Sequence, residues 1–277
     1  IVEFMNASGG RFANRRGDGR QVGNFRAYTT PISSDPEGGE CAGRGTACNT
    51  CPGVFHRSQQ KMTRLPKAER VVVPGPAGGL ESILEVPAAR VEKIAVLCHP
   101  HPLYHGTMNN KVVHTLARTF QRMGVACLRF NFRGVGASAG SYDEGQGETG
   151  DALAATEFMR DRFPKAKLWM AGFSFGGAVA LRAARPASAD LLVTVAPALQ
   201  EMEPVQLTIP DCPWLLIHGD RDTTVSCRGN LEWVGNLDHP PELYIARGVD
   251  HFFHGKLNLL RDVVIEKLEK MGVVQCG

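Results

Sequence analysis

The chain has 277 residues, 43% of them hydrophobic, and a formal net charge of +3. That length admits one large α/β domain or two small ones, and a domain of roughly 200 residues buries about 70% of its unfolded surface. The charge excess lies entirely in residues 1–61, which hold eight Lys/Arg against five Asp/Glu, while the remainder carries 23 of each. A neutral body excludes a general electrostatic pull toward nucleic acid or an acidic membrane surface. No run of about 18 uninterrupted apolar residues is present to cross a bilayer.

Residues 1–61 contain no leucine, are rich in Gly and Arg, and follow neither helical nor strand periodicity. Met62-Thr63-Arg64-Leu65-Pro66 reads as an ordinary protein start. Residues 1–61 are therefore expected to be an upstream extension or a disordered tail, and 62–277 the working domain. Cys41, Cys48, Cys51 and His56 supply four potential zinc ligands there. Only one CxxC occurs, without apolar residues to build a knuckle around it, so no metal is assigned. The remaining cysteines are Cys98, Cys127, Cys212, Cys227 and Cys276, and the first three fall in or beside strand-like runs as small hydrophobes. Scattered cysteines are no disulfide framework, and the opening residues lack the pattern of a secretory leader. A cytoplasmic setting is expected.

From Met62 onward, short β-branched runs alternate with amphipathic stretches, the signature of a parallel sheet with crossover helices. Strands are predicted near 69–74, 80–86, 93–98, 125–132, 167–172, 190–196, 212–218 and 242–247. Helices are predicted near 109–123, 149–162, 175–184, 226–235 and 255–271. No helix separates the first two strands, so they should pair antiparallel as a hairpin.

The chemistry is centred on Gly172-Phe173-Ser174-Phe175-Gly176, which fits G-x-S-x-G. A buried strand runs into it and a buried helix runs out, with almost no turn between. Such a turn strains the serine and lifts its hydroxyl above the carboxyl edge of the sheet. A Cβ at 172 or 176 should collide where helix and strand nearly touch. A serine hydroxyl is a weak nucleophile without an adjacent base. Where a G-x-S-x-G serine sits on such a strand-to-helix elbow, the acid and then the histidine follow it along the chain. The turn after Leu215-Leu216-Ile217-His218 offers Asp220 and Asp222. Asp222 is assigned as the acid and Asp220 as a cap of its own turn; His218 reads as a structural histidine. The last strand leads through Gly248-Val249-Asp250 to His251, assigned as the base, with His254 as its competitor.

An oxyanion needs about two backbone donors. One is expected from Phe175. The other should come from His99-Pro100-His101-Pro102-Leu103, where the prolines have no N–H. His101 and Leu103 remain, and His101 is assigned. His99, His101 and His105 cluster without a carboxylate, so no metal is assigned to this loop either.

Together, Cys98 to Pro102, Arg129-Phe130-Asn131-Phe132-Arg133-Gly134-Val135-Gly136-Ala137-Ser138, Gly147-Glu148 with Asp151, and Gly172 to Gly177 resemble one bacterial group of small, soluble α/β-superfamily hydrolases. The resemblance covers about residues 64–272. It implies the α/β-hydrolase fold, a mostly parallel twisted sheet with helices on both faces. It also implies a serine triad, esterase-like chemistry, and Ser174, Asp222 and His251 as its members. Ser226 departs from the proline that many relatives carry after the valine.

Gly134, Gly136 and Gly140 imitate a dinucleotide fingerprint, but the spacing is one residue too long and no helix opens at once. They should instead let the loop turn sharply beneath the site, held by Arg133 pairing with Glu148 or Asp151. The connection between the strands near 190–196 and 212–218 is too short for a large lid. The site should be open, walled by Tyr104, Phe173, Phe175, Phe252 and Phe253. The expected activity is hydrolysis of a small-molecule carboxylic ester, with no cofactor. A thioesterase or acyltransferase is the alternative on the same fold, and a non-catalytic binding module the alternative outside it.

Overall fold

A computed structural model describes residues 67–201 and 209–274. The predicted extension 1–61, its four candidate zinc ligands and Cys276 lie outside the described residues. The first two strands, β1 (Lys67–Gly75) and β2 (Gly78–Val86), form the expected antiparallel hairpin. Then follow β3 (Lys93–Cys98), α1 (Lys111–Arg122), β4 (Ala126–Phe130), α2 (Gln146–Arg162), β5 (Lys167–Phe173) and α3 (Phe175–Ala184). The chain ends with β6 (Leu191–Val195), β7 (Trp214–Gly219), α4 (Cys227–Val234), β8 (Glu242–Ala246) and α5 (Leu257–Lys270). One eight-stranded sheet results, in the order β1-β2-β4-β3-β5-β6-β7-β8. β2 meets β4 antiparallel, and every pair from β4 to β8 is parallel.

The central strands are apolar throughout because helices cover both faces. Successive residues of β3 show the division. Ile94, Val96 and Cys98 enter a core closed by α2, α3 and α4, whereas Ala95 and Leu97 enter one closed by α1 and α5. β5 alternates likewise: Leu168 and Met170 face α2 and α3, and Trp169, Ala171 and Phe173 face α1 and α5. Every residue of α3 is buried, which explains its almost unbroken run of Gly and apolar residues. Cys98 and Cys127 are buried as expected, but Cys212 is only half-buried. Residues 196–213 connect β6 to β7, and the described residues among them form no large lid.

Polar residues fix the loops. The Arg133 guanidinium grips Asp151 through both oxygens, at 3.0 and 2.8 Å, and Asp151 also accepts the Arg133 N–H. Of the two predicted partners it is therefore Asp151 that pairs. Glu148 instead accepts the backbone N–H groups of Asp143 and Gly145, capping α2. Ser226, the departure from proline, caps α4 by accepting the Gly229 N–H at 3.0 Å.

Candidate active site

Four parallel strands deliver the candidate residues to the carboxyl edge of the sheet, the usual ligand-binding edge of such folds. β5 ends at Phe173, and Ser174 is the single residue between it and α3. Its backbone stands at φ 56°, ψ −124°, outside the relaxed regions for a side-chain-bearing residue. Two neighbours hold it there: its N–H donates to the Val195 carbonyl at 2.9 Å and its carbonyl accepts the Ala198 N–H at 3.1 Å. A Cβ on Gly172 would come within 2.1 Å of the Gly176 carbonyl oxygen, the predicted strand–helix collision. A Cβ on Gly176 would instead strike the His99 carbonyl oxygen at 2.2 Å, so that glycine serves the approach of α3 to β3.

The loop after β7 carries Asp222 and the loop after β8 carries His251. The structure brings both to Ser174. His251 Nε2 lies 3.1 Å from Ser174 Oγ, and His251 Nδ1 lies 2.6 Å from Asp222 Oδ2. An ionised carboxylate only accepts, so Nδ1 carries the ring proton and Nε2 is left to accept from the serine hydroxyl. All three side chains are shielded from water. Burial alone would raise the Asp222 carboxyl, but hydrogen bonds from His218, His251 and the Val225 N–H outweigh it and hold it well below the usual carboxylate range. Phe173 lies under the His251 ring at 4.8 Å and Phe252 stands edge-on to it at 4.9 Å.

Phe175 occupies the first position of α3, where a backbone N–H has no acceptor within its own helix. The His101 ring packs against Phe175 at 4.8 Å, so the loop after β3 lies directly beside it. Of the two candidate donors there, the Leu103 N–H is engaged by His101 Nδ1 at 3.2 Å. That bond makes Nδ1 an acceptor, leaving Nε2–H to donate to the Tyr142 hydroxyl at 3.2 Å. His99 is buried below: its Nδ1 bonds the Pro100 carbonyl at 2.6 Å and its Nε2 accepts the Phe132 N–H at 3.0 Å.

Several expectations need correction. Phe173 is 0% exposed and lines no pocket, because strand alternation turns it toward α1 and α5 beneath the imidazole. Phe253 is likewise core. Phe175 is buried among His101, Phe132 and Tyr142. Tyr104 and Phe252 do face solvent, at 80% and 46% exposure. Asp220 does not cap its own turn; it accepts the Gly248 N–H at 2.6 Å and so ties the β7 loop to the β8 loop. His254 pairs with Asp250 at 2.8 Å in a solvent-exposed turn before α5 rather than opening that helix. His218 is buried as predicted, but it also touches Asp222, at 3.0 Å. Its position four residues before Asp222 was the available signal, together with Asn230 one helical turn into α4.

Comparison with known proteins gives the class. A family described as serine aminopeptidase, S33, matches residues 102–212, a span that includes Ser174. This chain belongs to the bacterial α/β serine hydrolases. A crystal structure from Xanthomonas campestris, described as an α/β serine hydrolase without lid, is 35% identical, covers 76% of this chain and 97% of its own, and superposes with a TM-score of 0.71. An α/β serine hydrolase homologue from Coxiella burnetii is 38% identical, covers 72% of this chain and 97% of its own, with a TM-score of 0.69. An uncharacterized protein of Rickettsia prowazekii is 33% identical over 192 residues, 66% of this chain and 81% of that protein.

Proposed function

We propose that the chain hydrolyses carboxylic esters of small molecules through an acyl-enzyme on Ser174. The observation that carries the reading is the unbroken line of contacts from Ser174 Oγ to His251 at 3.1 Å and from His251 to Asp222 at 2.6 Å. His251 takes the hydroxyl proton as Ser174 attacks the ester carbonyl, and Asp222 stays ionised and stabilises the imidazolium. The N–H groups of Phe175 and His101 receive the developing oxyanion, each contributing about 3–4 kcal/mol to the transition state. His251 returns the proton to the leaving alcohol. Water, activated by the same imidazole, then releases the acid.

Solvent-facing Tyr104 packs against the His101 ring in the loop after β3, and Phe252 packs against His251 in the loop after β8, with Leu103 also exposed in the first loop. Uncharged, apolar flanks suit an ester whose acyl or alcohol part is apolar. The test is labelling with a fluorophosphonate, followed by a panel of esters, thioesters and amides of graded chain length. Labelling lost in Ser174→Ala, with ester turnover falling by on the order of 10⁴-fold or more, is the expected result. Preference for acyl thioesters would move the reading to a thioesterase. Unlabelled protein with no turnover on any of the three classes would end it.

A further inference from the structure

We infer that His218 is a positioning residue for the Asp222 carboxylate, held in one tautomer by Asn230 and the Pro197 carbonyl. The inference rests on the reading of Ser174, His251 and Asp222 as the reacting set. Asp222 Oδ2 serves two imidazoles, His251 Nδ1 at 2.6 Å and His218 Nε2 at 3.0 Å. Its other oxygen, Oδ1, accepts the N–H groups of Thr224 and Val225, each at 2.8 Å. A carboxylate has about four acceptor positions. All are filled, so it cannot turn away from His251 without breaking other bonds.

The tautomer of His218 follows from groups that can only accept. The Pro197 carbonyl lies 2.7 Å from Asn230 Nδ2, which fixes the nitrogen end of that amide. Asn230 Oδ1, at the other end, accepts from Gln200 Nε2 at 2.9 Å. The second N–H of Nδ2 then faces His218 Nδ1 at 3.1 Å, making Nδ1 an acceptor. The ring proton must sit on Nε2, facing Asp222 Oδ2 and, at 3.3 Å, the Val225 carbonyl. His218 is fully buried and Asn230 nearly so, leaving little water to substitute for either partner. The Pro197–Ala198 segment is itself tied to the serine through the Ala198 N–H. The hydrogen bonds thus leave Ser174 at its hydroxyl, pass through His251, Asp222, His218 and Asn230, and return to the Ser174 main chain.

A second donor on Oδ2 spreads the charge of the carboxylate. Without it, the charge concentrates on His251 and favours the imidazolium over the neutral base. The titratable groups around the carboxylate are His251 from the β8 loop, His218 from β7, Cys227 from α4 and Asp220 from the same turn. Of these, only the two histidines bond Asp222.

Two measurements test the inference on the full chain. Two-bond proton–nitrogen correlation spectra of the histidine rings in the unaltered protein should show His218 protonated at Nε2 and bare at Nδ1. Protonation at Nδ1 overturns the inference without any variant. The second measurement is the pH profile of kcat/KM on an ester, or of fluorophosphonate inactivation, for His218→Leu and His218→Gln. In His218→Leu the rate should fall by about ten- to a hundredfold, and its acid limb should move up by about half a pH unit or more. His218→Gln, whose amide N–H can take the place of Nε2–H, should restore the limb and most of the rate. An unmoved limb in His218→Leu, or equal damage from Gln and Leu, overturns the inference. Failure of the unaltered protein to label at all would instead count against Ser174, and the tautomer spectrum would still decide the role of His218.

Discussion

His251 and His254 stand three residues apart on one loop, and each faces an aspartate, at 2.6 Å and 2.8 Å respectively. By distance alone the two pairs are equals. Their surroundings separate them. The His251 and Asp222 side chains are 3% and 0% exposed, whereas those of His254 and Asp250 are 73% and 45% exposed. In water, Coulomb attraction is screened and two side chains lose freedom to hold one geometry. Away from water the same contact is strengthened and an unpaired member is costly. Sequence separation differs too. Asp250 and His254 meet because a single turn brings them together. Asp222 meets His251 only because β7 and β8 lie side by side and end at the same edge. A contact made by the whole sheet can be aimed at a third group, and here that group is Ser174.

The comparison can be broken most sharply with Asp222→Asn and Asp250→Asn assayed together. The first should lower kcat by on the order of 10⁴-fold, because an amide cannot hold the imidazole in the required tautomer. Comparable losses from both would erase the distinction. The next largest effect extends the contrast to arginine. Asp151→Asn breaks a pair in which Arg133 is 12% exposed and Asp151 is 0% exposed. It should cost about 3–5 kcal/mol in urea denaturation. Arg228→Ala, which removes an exposed pair with Glu232, should cost about 0.5 kcal/mol or less.

The third prediction concerns acid. Burial foremost, with the neighbouring His101 adding to it, lowers the His99 imidazole to about 4, against the bond to the Pro100 carbonyl. The unfolded chain takes up this proton near the ordinary histidine value of about 6.5. Between those values the unfolded state binds more protons, so stability rises with pH. The contribution is fully present above about 6.5 and is lost as pH falls toward 4, amounting to on the order of 3 kcal/mol. Denaturation midpoints at several pH values should therefore fall less steeply in His99→Gln than in the unaltered chain. The smallest expected effect is that of His254→Gln, with turnover changed less than about twofold and stability by about 0.5 kcal/mol at most.

All thirteen helices and strands foreseen in 67–274 form, each within a few residues of its expected bounds. Uninterrupted apolar runs between turn residues leave the chain few choices. The positions of Ser174, Asp222 and His251 were legible for a related reason, since chain order and strand ends dictate where they can sit. What escaped was side-chain direction at close quarters. Phe173 belongs to the strand and follows its alternation, although its place beside the serine invites a pocket assignment. Asp220 and His218 find partners 28 and 12 residues away, at Gly248 and Asn230, and no local pattern announces such contacts. The second histidine on Asp222 needed the packing of α4 against the sheet edge before it had meaning.

The backbone of Ser174 stores effort that the rest of the molecule restrains. At φ 56°, ψ −124° it lies about 1–3 kcal/mol above a relaxed residue. Val195 and Ala198 clamp it from one side, and the wholly interior α3 from the other. Slacken either clamp and the turn recoils, swinging the hydroxyl out of line while the strands remain joined. Fatigue by heat or denaturant should then silence the molecule before it loses its shape. An idle preparation can still be a well-folded one.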